Sequence, residues 1–266
     1  MSPAAKDIGP VPLGFAASRR LRRLFDKDRF AVWLCADVGL QIGPPGRTTR
    51  LSDLGSYLGL SFDAVVLSLA AIERFAGQLN SLDLRVVARV DWTNQWRSIS
   101  PVSASAGATV ASVASAAALG VDGIMHYTLL GHDDPRVEAD YIHRSAQAVE
   151  AAHAVGLPCV LEPVIRGALV SGSERDATHQ RWAIRTAVEL GADAVKVEAP
   201  TDPGDVLSAA DVPILVASTP PAGDAPAITR ARSAREAGAA GVAYSSDIFT
   251  STDPDALVRQ LRATGE

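Results

Sequence analysis

Gly191-Ala192-Asp193-Ala194-Val195-Lys196-Val197-Glu198 reads as the end of one helix and the strand that follows it. Glycine suits the left-handed residue that closes a helix, and an unbroken apolar run suits a parallel strand covered on both faces. The phrase recurs as Gly120-Val121-Asp122-Gly123-Ile124-Met125, Gly156-Leu157-Pro158-Cys159-Val160-Leu161 and Gly238-Ala239-Ala240-Gly241-Val242-Ala243. Repetition of one helix–strand unit marks a repeating architecture. Working outward places eight strands, at 31–36, 64–67, 85–90, 123–127, 159–162, 194–198, 214–217 and 241–244. Apolar residues at three- and four-residue spacing predict helices over 141–154, 180–190 and 228–237, with a closing helix over 254–262. Stretches 51–58 and 70–79 predict short or irregular helices. The fold expected is α/β, a single (β/α)8 TIM barrel over 30–266 preceded by an N-terminal extension and extra helix over 1–29.

Composition narrows the function classes. The chain has 266 residues, 47% hydrophobic and 21% charged, with a net charge of −5. Such a balance supports one large core and gives no basic footprint for nucleic acid. The cluster Arg19, Arg20, Arg22 and Arg23 reads as a solvated helix face or a subunit contact. Cys35 and Cys159 fall in expected buried strands without metal-ligand spacing, so they read as core residues of a reducing compartment. No apolar run is long enough to span a bilayer, and residues 1–12 lack the pattern of a signal peptide, so a cytoplasmic location is expected.

One residue stands out chemically. Of three lysines, Lys6 and Lys27 lie in polar surroundings, whereas Lys196 lies inside an apolar strand. Desolvation disfavours an ammonium, so burial alone predicts a pKa lowered towards neutrality and an amine able to attack a carbonyl. In a barrel, chemistry gathers at the C-terminal strand ends. The polar residues there are Asp37, Ser68, Asp91, His126, Tyr127, Glu162, Lys196, Glu198, Ser218, Thr219, Ser245, Ser246 and Asp247. Strand parity puts Lys196 and Glu198 on one face and turns His126 towards the helix layer, opposite to Tyr127. Glu162 and Glu198 are candidate acid/base groups because burial raises a carboxyl pKa. Trp92 and Trp96 follow Asp91 and suggest a pocket wall. The Ser- and Pro-rich stretch 93–107 reads as a long loop on the catalytic face.

These residues resemble the imine-forming class I aldolases related to archaeal-type fructose-bisphosphate aldolase and deoxyribose-phosphate aldolase. Glu189 to Lys196, E-L-G-A-D-A-V-K, resembles the family's sixth-strand run, whose lysine forms the Schiff base. Ala36-Asp37-Val38-Gly39 with Ile42-Gly43-Pro44 is similar to the first-strand D-H-G…G-P signature, with Val38 in place of histidine. Gly156-Leu157-Pro158 through Arg166-Gly167 and the segment 241–254 are similar to the fifth-strand and closing signatures. The resemblance implies a barrel and an imine at Lys196. It also implies Asp37 at the mouth of strand one and Tyr127 in a position held by tyrosine or histidine in relatives.

Two departures matter. Ser218-Thr219 and Ser245-Ser246-Asp247 replace the family's G-G and G-R-N phosphate loops, losing an arginine fork and adding a carboxylate. Glu162-Pro163-Val164-Ile165-Arg166-Gly167 replaces W-S-Y-P-R-G, so the proton-shuttling tyrosine of that segment is absent. The reading is a class I aldolase-type lyase that forms or breaks a carbon–carbon bond through a lysine imine, in which Lys196, Asp37, Tyr127, Glu162 and Glu198 catalyse. Asp91, Arg166, Ser218, Thr219, Ser245, Ser246 and Asp247 contact a carbonyl substrate without phosphate. Specialised biosynthesis is the expected setting. No cofactor and no metal are expected, nor a nucleic-acid or membrane partner. Relatives assemble into rings, which implies a homo-oligomer. The alternative is an aldolase-fold subunit that has lost catalysis and serves for binding or scaffolding.

Overall fold

The computed structural model describes residues 14–97, 106–207, 210–218 and 221–265. Ten strands occur among them: β1 (Ala31–Cys35), β2 (Ala64–Ser68), β3 (Arg85–Arg89), β4 (Asp91–Thr93), β5 (Gly107–Thr109), β6 (Gly123–Leu130), β7 (Cys159–Ile165), β8 (Ala194–Val197), β9 (Ile214–Ala217) and β10 (Gly241–Tyr244). Eight of them close a parallel barrel in the order β1-β10-β9-β8-β7-β6-β3-β2, with helices between strands. The expected barrel is therefore present, and the expected strands match it within a few residues. The short, broken helices expected after the first two barrel strands are also found, at Leu51–Leu54, Gly55–Leu58, Leu69–Arg74 and Ala76–Leu79.

The long loop expected over 93–107 is only partly a loop. Its two ends pair as the antiparallel hairpin β4–β5, with Asp91 opposite Thr109 and Thr93 opposite Gly107. Alternation over three residues is too short a signal to separate a strand from a loop, and the two partners lie far apart in sequence. Gln41 fastens this hairpin to the loop after β1, donating to the Asp91 carbonyl and accepting from the Thr93 amide.

Alternate side chains divide the strands between two cores. Trp33, Cys35, Val66, Val87, Met125, Val160, Ala194 and Leu215 fill the barrel interior, and the opposite faces pack against the helices. The extra helix Phe15–Leu24 closes the N-terminal end of the barrel. Leu24 packs into the interior cluster, and the Phe25 and Trp33 rings lie 5.1 Å apart.

The recurring Asp of the sequence phrase has a structural role. Asp63, at the start of β2, accepts from the Val32 amide of β1 at 2.9 Å. Asp122 does the same for Val86 of β3 at 3.0 Å, and Asp193 for Cys159 of β7 at 2.7 Å. Each carboxylate thereby fixes the register of neighbouring barrel strands at their N-terminal ends. Each also holds a basic group: Arg29 and Arg262 on Asp63, Arg23 on Asp122 and His153 on Asp193. Gly191 has φ +93° and Gly156 φ +71°, the left-handed conformation that ends the preceding helix and turns the chain into this clamp.

Asp193→Ala leaves the buried Cys159 amide without its acceptor. The expected loss is about 1–3 kcal/mol of unfolding free energy, measured by denaturant titration.

Candidate active site

Five charged side chains and a tyrosine meet at the C-terminal end of the barrel. Lys196 on β8 donates from Nζ to Glu162 Oε1 on β7 at 2.5 Å. The other oxygen of Glu162, Oε2, accepts from Arg89 Nη2 on β3 at 2.5 Å. Arg89 Nε donates to Asp37 Oδ2, just beyond β1, at 2.7 Å. Arg89 Nη1 lies 3.5 Å from Asp91 Oδ1, and the guanidinium carbon stands 4.0 Å from the centre of the Tyr127 ring on β6. The strands bring these groups together through parity and register. Tyr127 is paired with Glu162, and Arg89 with Met125, across the sheet. All six residues are buried, with Arg89 only 1% exposed.

Arg89 is the residue that the sequence reading missed. Its signal was the one that singled out Lys196: a charged residue at the end of an apolar strand, with the inward parity of Val87. The abundance of arginine in the chain hid it. Sequence supplies the parity but not the number of carboxylates that converge on the guanidinium.

The surroundings reverse the pKa expected for Lys196. Desolvation acts to lower it, but Cys35, Glu162 and Asp37 favour the charged form, against the opposition of Arg89, and the pKa lies above its ordinary value. The resting side chain is an ammonium. Desolvation acts to raise the Glu162 pKa, but Lys196 and Arg89 outweigh it and hold the carboxyl below its ordinary value. Burial first, then Glu162, pushes the Tyr127 phenol well above the ordinary tyrosine range. The Tyr127 hydroxyl hydrogen-bonds to none of the described residues.

The remaining candidates separate into groups. Glu198 shares a strand face with Lys196, yet its carboxylate takes a bidentate pair from Arg166, at 2.8 and 3.0 Å. Arg166 also stacks on Trp96 at 4.4 Å. Asp91 is fully buried beneath the cluster and accepts from the Tyr127 amide at 2.9 Å, a place that supports the site from behind. His126 points into the helix layer as its parity predicts, 3.3 Å from Ser145; burial lowers its pKa. Asp37 begins the short helix Val38–Gln41 but does not cap it with its side chain, which turns to Arg89 instead.

Between β9 and β10 the arrangement differs from the sequence reading. Asp247 was expected to contact the substrate, but it is fully buried. Its Oδ1 accepts from the amides of Ala222 and Gly223, at 2.8 and 2.9 Å, at the start of helix Asp224–Glu236. Its Oδ2 lies 3.8 Å from Arg230 Nη1. A helix N-terminus attracts anions, and here the chain supplies its own. Ser218 is buried nearby on the strand exit, Ser245 and Ser246 are half-buried, and Thr219 lies outside the described residues. Among the described residues, no group of three His, Cys, Asp or Glu could hold a metal ion. No described helix is long and apolar enough to cross a membrane.

Comparison with known proteins gives consistent neighbours. A family profile described as "DeoC/LacD family aldolase" matches residues 59–251. An uncharacterized aldolase of Saccharolobus solfataricus is 25% identical over 252 residues, covering 91% of each chain. A 2-amino-4,5-dihydroxy-6-oxo-7-(phosphonooxy)heptanoate synthase of Streptomyces griseus is 29% identical over 262 residues, covering 93% of this chain and 89% of that protein. Among solved structures, a Schiff-base-forming fructose-1,6-bisphosphate aldolase superposes with a TM-score of 0.78 at 22% identity, over 94% of this chain and 99% of that one. An archaeal fructose-1,6-bisphosphate aldolase with its catalytic lysine bound to a carbinolamine gives 0.75 at 22% identity, over 93% and 98%. At that identity the two structures establish the barrel.

The Lys196–Glu162 pair carries a pH signature. Glu162 has a folded pKa below its ordinary 4.5, so its contribution to stability is present above that pH and is lost as pH falls through the folded value. The difference in unfolding free energy between the wild type and Glu162→Gln is therefore expected to narrow below pH 4.5, in denaturant titrations across an acid series.

Proposed function

We propose that this chain, which belongs to the DeoC/LacD aldolase family, makes or breaks a carbon–carbon bond through an imine between Lys196 and a carbonyl substrate lacking phosphate. Aldolase-type carbon–carbon chemistry comes with the family; the imine and the substrate class are the finer reading. The observation that carries it is the buried Lys196 ammonium held at 2.5 Å by Glu162, on the sixth barrel strand at the catalytic end.

The resting ammonium is compatible with imine formation because the proton balance closes. Glu162 accepts one proton from Lys196, and the neutral amine adds to the carbonyl carbon. The carbonyl oxygen is protonated twice on its way to departure as water. Lys196 began with three protons: two leave with that water and one stays on the protonated imine. No net proton is exchanged with solvent, so one relay carboxylate is enough. Glu162 fits that role, since one oxygen faces Lys196 and the other is pinned by Arg89. Arg89 is a positioning residue, fixing Glu162 and Asp37 at once. Tyr127 stands against the guanidinium with its hydroxyl uncommitted among the described residues, and serves the later proton transfer at the enamine carbon. Asp37 assists from the opposite side. Arg166 and Glu198 neutralise each other, so Glu198 serves to orient Arg166 at the mouth and not to relay protons for Lys196.

The substrate reading rests on Asp247. Where a phosphate would need free amides and an arginine fork, this carboxylate already accepts from Ala222 and Gly223. The Streptomyces griseus relative is named for a phosphonooxy product, so kinetics must separate the two substrate classes.

Borohydride added with a cognate aldehyde or ketone should trap Lys196 as a secondary amine, detected by intact mass and peptide mapping. Lys196→Met keeps the volume without the amine and should abolish both adduct and turnover. Full turnover in that variant would refute the imine, and a wild type with neither adduct nor turnover on any carbonyl compound would leave a binding or scaffolding role.

Paired kinetics on a phosphorylated substrate and its unphosphorylated analogue should favour the latter by at least about tenfold in kcat/KM. That is the ratio expected when a charge-assisted hydrogen bond, worth about 1.5–3 kcal/mol, gives way to repulsion. Preference for the phosphate ester would overturn the assignment.

A further inference from the structure

At the end of the barrel opposite Lys196, the starts of β1, β2 and β3 and the last turn of helix Phe15–Leu24 surround a cavity of about 180 Å³. Four arginines line it, Arg22, Arg23, Arg29 and Arg85, together with Asp26, Asp63 and Asp83. Their pairing is incomplete. Arg22 forms no ion pair or hydrogen bond with any described residue. Arg85 Nη1 donates to Asp83 at 2.5 Å, but its Nε is closed to solvent and has no acceptor among the described residues. Arg29 and Arg262 converge on one oxygen of Asp63, at 3.3 and 3.0 Å, while the other oxygen accepts from the Val32 amide. Arg23 stands 3.2 Å from Asp122, which is not part of the lining. With Arg262 and Asp122 counted beside the lining residues, five guanidiniums meet four carboxylates. The N-terminal end of the barrel thus holds a surplus cation on a chain whose net charge is −5.

We infer that this cavity is an anion site for a phosphate group, free or at the head of a small monoester, separate from the catalytic end. It does not depend on an imine at Lys196. Size and chemistry select the ligand class. At the ~30 Å³ that a water occupies in the liquid, the cavity takes about six heavy atoms, which suits a phosphate head group. Guanidinium forks match a tetrahedral oxyanion with paired N–H donors, and a phosphate between Arg22 and Arg85 gives both the acceptor they lack. The pair that now holds Arg85 is easily displaced, because the Asp83 side chain is 92% exposed and a solvated ion pair is weak. A metal ion or an amine would meet the surplus positive charge instead. The site also has a structural consequence. Arg85 begins β3, the strand that ends at Arg89, so a bound anion ties that strand to helix Phe15–Leu24 beside the clamps of Asp63 and Asp122.

Isothermal titration calorimetry on the full-length protein, at constant ionic strength, tests the site with inorganic phosphate, methyl phosphate and acetate. Inorganic phosphate should bind saturably and at least about tenfold more tightly than acetate, since a dianion engages more than one guanidinium. Methyl phosphate binding as well assigns the site to the head group; its failure to bind assigns the site to the free ion. Arg22→Gln and Arg85→Gln should each weaken phosphate binding by at least about tenfold, the loss of one charge-assisted hydrogen bond. Asp83→Asn removes the competitor for Arg85 and should strengthen it. Arg136→Gln, at the start of helix Pro135–Ala154 by the catalytic end, removes the same charge elsewhere and should leave Kd unchanged. Thermal unfolding gives a second readout: Tm should rise with phosphate concentration in the wild type and stay flat in Arg22→Gln. Arg22 is exposed, so that variant carries the test if Arg85→Gln does not fold. Absence of saturable binding, acetate bound as tightly as phosphate, or an equal loss in Arg136→Gln would overturn the site.

Discussion

Everything at the catalytic end of this barrel depends on one buried cation. Arg89 reaches Asp37, Asp91 and Glu162 from a side chain that is inaccessible to solvent, with the Tyr127 ring against its guanidinium. Three carboxylates from three directions would repel one another in a low-dielectric interior and titrate together. A planar, permanently charged fork holds them apart at fixed angles in a way that lysine could not. Glu162 is thereby left with one oxygen for Lys196, and Asp37 with one oxygen that hydrogen-bonds to none of the described residues. The same guanidinium opposes the ammonium of Lys196 electrostatically, whereas Cys35, Glu162 and Asp37 favour it.

The barrel beneath supplies the rigidity that such a cluster requires. Asp63, Asp122 and Asp193 tie strand starts together at the N-terminal end, and Leu24 and Phe25 close that end against Trp33. Register set at the bottom is inherited at the top, since the strands between are short. A slip of one residue would turn Arg89, Glu162 and Lys196 out of the barrel together. The carboxylates at the two ends are thus paired differently, one set with backbone amides and the other with the Arg89 guanidinium and the Lys196 ammonium.

Asp247 extends this economy of charge to the rim between β9 and β10. A backbone amide pair at a helix start is an anion site by construction, and the chain fills it from within. Arg166 is likewise matched by Glu198. Both pairings set a carboxylate against groups that would otherwise favour an anion.

Sequence by itself determined the barrel. Strand and helix signals are local, a glycine closes four of the repeating units, and eight such units have few ways to bury their apolar faces. It also determined Lys196 as the singular amine and, through parity, the opposite faces of His126 and Tyr127. The structure alone decided the partners. That Lys196 pairs with Glu162 and Glu198 with Arg166, that Asp91 lies behind the site, and that Asp247 serves two amides all depend on which strands become neighbours and how far each side chain reaches. The hairpin β4–β5 depends on pairing across a dozen intervening residues. Even the charge of Lys196 was a tertiary matter. Desolvation is legible from an apolar strand, but the groups that outweigh it, Cys35, Glu162 and Asp37, come from β7 and from β1 and its exit, whose proximity no local pattern encodes.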